Sequence, residues 1–112
     1  MVDYKITKCY MIKEVNNCMC HNFYYVYFGR IYNEDKTKYR KFKFIIWADI
    51  FDIMEFYGQD SVTRQEIKEY FKYVVDVGYM FTSIKHFDDV DGLKEFYKDC
   101  NESIRNYNRI CY

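Results

Sequence analysis

Residues 23–32 read FYYVYFGRIY: six large apolar side chains in a row, then Gly29, then Arg30. A strand with no polar alternation is apolar on both faces and belongs in the middle of a sheet, covered on each side. Gly29 within it marks a bulge or the close approach of another backbone. On the N-terminal side, YKITKCYMIKEV (4–15) alternates. Tyr4, Ile6, Tyr10 and Ile12 point one way, with Lys8 out of step, and Lys5, Thr7, Cys9, Met11 and Lys13 point the other. That pattern predicts a strand with one wetter face. On the C-terminal side, NEDKTK (33–38) supplies a turn and YRKFKFIIW (39–47) a third strand. In it Phe42, Phe44 and Ile46 stand opposite Lys41, Lys43 and Ile45. The short links make the three strands an antiparallel meander.

Beyond Trp47 the apolar period lengthens from about 2 to about 3.6 residues. ADIFDIMEFYG places Ile50, Ile53, Met54 and Tyr57 on one helical face, with Gly58 as the stop. Thr63 and Glu66 form a T-x-x-E capping box before the stripe Ile67, Tyr70, Phe71, Val74 and Val75, which runs towards Gly78. YMFTSIKHF (79–87) is ambiguous between loop and short strand. A last helix starts near Asp88 or Asp89, with Leu93, Tyr97, Cys100, Ile104, Tyr107 and Cys111 stepping by four and three. That seam suits either this chain's own core, the preferred reading, or a homodimer through the last helix. Strands first and helices second predict an α+β fold. The expected architecture is a three-stranded antiparallel β-meander covered on one face by two or three C-terminal helices. No repeat, linker or proline divides it, so 1–112 reads as a single domain.

Fourteen Tyr and ten Phe, against one Leu and one Ala, make the apolar set unusual. Much of this follows AT-rich codons, as in a low-GC bacterium or its phage, and surplus rings at the surface would suit a binding face. The 112 residues carry 17 basic and 17 acidic side chains, unevenly spread. Residues 1–43 hold nine Lys/Arg and four Asp/Glu, residues 44–112 eight and thirteen. Five cysteines, no apolar run long enough to span a bilayer and no secretory-type leader point to a cytoplasmic protein with reduced thiols.

The cluster Cys18-Met19-Cys20-His21 lacks a second ligand pair at zinc-site spacing, so a hairpin turn is expected there, with no metal and no cofactor. Nucleotide-binding and hydrolase motifs are absent from the sequence, and Asp49, Asp52 and Glu55 fit a solvated helix face. The strongest local signal is KTKYRKFK (36–43). Lys36, Lys38, Arg40, Lys41 and Lys43 stand with Tyr39 and Phe42 between them, and Arg30 can join from the neighbouring strand. Cations for phosphate and rings for bases is the logic of sheet-borne nucleic-acid binders, while lysines also protect an edge strand. Strand-strand-strand-helix order with a basic second hairpin resembles the arm-type DNA-binding domain of phage integrases, which would imply DNA binding. Two functions are expected from these features. The first is a non-enzymatic module occupying a larger protein or ribonucleoprotein partner, as an anti-CRISPR-like inhibitor of a host defence nuclease does. The alternative is DNA or RNA binding by the basic hairpin 30–43, and no membrane partner is expected.

Overall fold

The computed structural model describes residues 3–74, 81 and 90–111. Three strands come first, β1 (Tyr4–Asn16), β2 (His21–Tyr32) and β3 (Tyr39–Asp49), paired antiparallel in the order β1-β2-β3. Helices α1 (Ile50–Tyr57), α2 (Arg64–Glu69) and α3 (Val90–Cys111) come next, with a π-helical turn (Tyr70–Val74) extending α2. The α+β class and the βββααα order agree with the sequence reading, and β2 is the central strand.

Alternate side chains of β2 enter two separate cores, as the pleat requires. Phe23, Tyr25, Tyr27 and Ile31 pack with Ile53, Ile67, Phe71, Phe81 and Phe96 on the helix face. Tyr24 and Val26 pack on the opposite face with Ile45 and Tyr107. The helices thus cover one face as expected, and the C-terminal half of α3 goes further by closing the near end of the other. Along α3, Leu93, Phe96 and Cys100 join the first core, while Ile104, Tyr107 and Cys111 join the second. The seam read from the sequence is therefore filled by this chain's own sheet. A second copy would have to meet the outer side of α3 instead.

β1 departs from simple alternation. Its pairing with β2 shifts register between Ile6 and Lys8 and again between Met11 and Lys13. Each extra residue swaps the faces of the side chains after it. Tyr4 and Ile6 therefore look to the helix face, whereas Lys5, Lys8 and Tyr10 share the opposite one. This corrects the expected grouping of Tyr4, Ile6, Tyr10 and Ile12, and it explains why Lys8 is out of step. The first shift lies opposite Gly29, where a Cβ would fall 2.6 Å from the Lys5 carbonyl oxygen and closer still to the Phe42 ring.

The helices begin and end where local chemistry puts them. Asp49 caps α1, its carboxylate accepting from the Phe51 N–H at 2.7 Å, and Gly58 ends it at φ 64°. Asp49 is thus a cap and not part of a free acidic row. The Thr63–Glu66 capping box forms on both arms. The stripe expected to continue as one α-helix instead widens into the π-turn after Glu69. Tertiary contacts fix that turn: the Phe71 ring stacks on Tyr25 at 3.9 Å, and the buried Tyr27 hydroxyl donates to the Phe71 carbonyl at 2.7 Å. Val75, Gly78, His86, Asp88 and Asp89 lie outside the described residues, as does 79–87 apart from Phe81.

A basic and aromatic sheet face as the candidate functional site

The β-pairing register places side chains in rows across the face that α3 only partly covers. Lys5, Arg30 and Lys41 lie side by side in one row, and Lys8, Phe28 and Lys43 in the next. Tyr10, Val26 and Ile45 form the third row, where the shelter of α3 begins. Tyr39, opposite Tyr32, closes the far end. Five cations and four rings (Tyr10, Phe28, Tyr32, Tyr39) thus occupy the open half of the face, with no carboxylate in the Lys5 and Lys8 rows. Three of the rings are held by the cations beside them. The Arg30 guanidinium sits 4.5 Å from the Tyr39 ring centre, and Lys8 and Lys43 stand 5.6 Å from Tyr10 and Phe28. Tyr10 and Phe28 lie nearly parallel with centres 6.1 Å apart.

The structure sorts the residues named from the sequence into three places. Arg30, Tyr39, Lys41 and Lys43 meet on the open face. Arg40 turns to the other side of β3, where it lines a cleft of about 520 Å³ with Lys94, Lys98 and Arg105 of α3. Lys36 and Lys38 sit in the exposed turn beside Glu34 and Asp35, so charge largely cancels at the tip. That turn is internally bonded: Asn33 Oδ1 accepts from the Lys38 N–H at 3.0 Å, and Lys36 takes a left-handed φ of 61°. Thr37 bonds the Asp35 carboxylate and holds its pKa below the usual aspartate value. Sequence reasoning misses Lys5, Lys8, Tyr10 and Phe28 as site residues. Phe28 shares the face of Arg30 by plain alternation along β2, whereas only the bulge-corrected register brings Lys5 together with Lys8 and Tyr10.

Edge protection explains part of the charge. Among the described residues no helix or strand covers the outer edge of β1, and Lys5 and Lys8 on it deter pairing with other sheets. The outer edge of β3 is covered by α3. There the Tyr97 hydroxyl donates to the Lys41 carbonyl at 2.7 Å, and Ser103 Oγ accepts from the Ile45 N–H at 3.1 Å. Lys41 and Lys43 therefore protect no open edge, and Arg30 belongs to the central strand.

Around Cys18-Met19-Cys20 the chain makes a tight turn, with Asn17 Oδ1 accepting from the N–H groups of Met19 (2.8 Å) and Cys20 (3.0 Å). His21 is engaged elsewhere: its Nε2 lies 2.7 Å from Glu14 Oε2, while Arg64 Nη1 contacts Glu14 Oε1 at 2.6 Å. Bonds from His21, then Arg64, hold the Glu14 carboxyl below the ordinary glutamate range. Among the described residues no group of three His, Cys, Asp or Glu side chains stands ready for a metal ion, and no helix is long and apolar enough to cross a membrane.

No protein-family model, no curated protein and no solved structure matches this chain.

Proposed function

We propose that this chain is a non-enzymatic binding module that holds nucleic acid on the open face of its sheet. One observation carries the reading: Lys5, Arg30 and Lys41 are direct cross-strand neighbours. Like charges placed opposite one another destabilise a sheet by about 0.2–1 kcal/mol per pair. A row of three with no acid between is a cost to the free protein that a polyanion removes. Phosphates would engage the first two rows, and the rings between them supply the stacking surface that such faces use. The neutral net charge of the whole chain does not set the charge of this face, since neither of the two basic rows holds a carboxylate.

The test is binding of a labelled oligonucleotide at two salt concentrations. Affinity should fall steeply with salt and be lost in the Lys5→Ala/Arg30→Ala/Lys41→Ala variant. Salt-independent binding, or full affinity in that variant, refutes the reading.

A second reading, occupation of a protein partner such as a host defence nuclease in the manner of an anti-CRISPR protein, is favoured by other rings. Trp47, Phe51 and Phe56 are each more than half exposed along the end of β3 and α1. Aromatic side chains of that kind anchor protein interfaces. Capture of a partner that Trp47→Ala/Phe51→Ala abolishes, and that the lysine variant leaves intact, would support it over the first.

A further inference from the structure

The open face does not end in a smooth wall where α3 crosses it. A cleft of about 540 Å³ lies at that junction, with Val26, Phe28 and Ile45 on its floor side and Tyr10, Ile104 and Tyr107 among its walls. Lys43 and Asn108 are the polar groups of its lining that lie nearest the basic rows and the end of α3. The volume is that of a small-molecule site, and the lining is mixed, with rings and aliphatic side chains sharing it with polar surface. It adjoins the rows of cations directly: Phe28 and Lys43 belong both to the second row and to the cleft.

Resting on the nucleic-acid reading above, we infer that the ligand is single-stranded and that the cleft takes its unstacked bases. Duplex DNA and RNA present phosphates to a basic face but keep their base faces stacked inside. A ring-walled cleft next to those cations gains nothing from them. A single strand offers both parts: phosphates for Lys5, Lys8, Arg30 and Lys41, and a base that can lie against Tyr10 and Phe28. Tyr10 is 44% exposed, so a base reaches its ring by displacing the Lys8 ammonium that stands over it, with no rearrangement of the fold. Asn108, exposed on the last turns of α3, carries an amide donor and an acceptor for a base edge.

Fluorescence anisotropy with three probes separates this inference from the reading it rests on. The probes are a labelled mixed-sequence single strand, the same sequence as a duplex, and a strand of equal length made of abasic sites. The intact single strand is expected to bind about 5- to 150-fold tighter than the abasic one, the range for stacking one base on a ring. Tyr10→Ala and Phe28→Leu should each bring it down towards the abasic level while leaving the abasic affinity unchanged. Tyr10 is exposed, so its variant folds even if Phe28→Leu does not. Equal, salt-dependent binding of all three probes, indifferent to Tyr10→Ala, overturns the inference and leaves the nucleic-acid reading standing. Binding of none of them overturns both.

Discussion

Ser103 on α3 accepts a hydrogen bond from the backbone N–H of Ile45 on β3 at 3.1 Å, and its own hydroxyl donates to the Cys100 carbonyl at 2.7 Å. A serine inside a helix often bonds back to its own turn. Here the same oxygen also satisfies a strand group that would otherwise face the underside of a helix. Ser103→Ala should cost about 1–3 kcal/mol, because it leaves the Ile45 donor without its partner in a part-buried place. Urea unfolding reads this as a lower midpoint with an unchanged slope. An unchanged midpoint would mean that water replaces the hydroxyl.

Gly29 answers to geometry of a different kind. The Phe42 ring lies across it, and the Lys5 carbonyl oxygen would stand 2.6 Å from a Cβ at this position. Backbone on one side and a packed ring on the other leave little room for a methyl group. Gly29→Ala is therefore expected to destabilise by about 1–3 kcal/mol, as overpacking in a dense core does. Thermal unfolding checks it, and a neutral result would show that β1 can shift outward at its bulge.

The strands, their order, two helix caps and the α3 seam were all legible in the sequence, since each rests on local periodicity or on a fixed capping spacing. Two things were not. The bulge between Ile6 and Lys8 depends on the partner strand, because only Gly29 on β2 and the ring of Phe42 decide where an extra residue fits. The π-turn depends on Tyr25 and Tyr27, far away in sequence. The candidate site inherits the first of these. Its β2–β3 part, Arg30, Tyr39, Lys41 and Lys43, could be read from hairpin alternation. Its β1 part, Lys5, Lys8 and Tyr10, could not, because simple alternation puts Lys5 and Lys8 on opposite faces.

Glu14 ties β1 to the helical layer through Arg64 and meets His21 on β2. Its pKa is lowered by His21 first and Arg64 second. A depressed carboxyl pKa contributes stability that is present above the unfolded value, about 4.3, and is lost as pH falls through the folded one. Glu14→Gln removes that contribution at every pH. The stability gap between wild type and Glu14→Gln should therefore be full near neutral pH and close in acid. Denaturant midpoints measured across the acid range track it, and a gap that stays constant down to low pH would contradict the ion-pair origin.

Lys41 joins stability to function in opposite directions. It stands directly across from Arg30, which stands across from Lys5, and no carboxylate in the row offsets them. Lys41→Thr keeps a residue suited to a strand and removes one like-charge neighbour. The free protein should gain about 0.2–1 kcal/mol, with more of the gain at low salt, where screening is weakest. The same variant should bind a single-stranded oligonucleotide more weakly, and its salt dependence should shallow by about 0.7 in log–log slope, the loss of one phosphate contact. A residue that costs stability and supplies binding is placed for its ligand. If Lys41→Thr lowers the melting temperature instead, the lysine stem packs the fold and the row is not a strained anion site. A higher melting temperature with an unchanged salt slope would put the phosphate path elsewhere, along the Arg40, Lys94 and Lys98 cleft on the far side of β3.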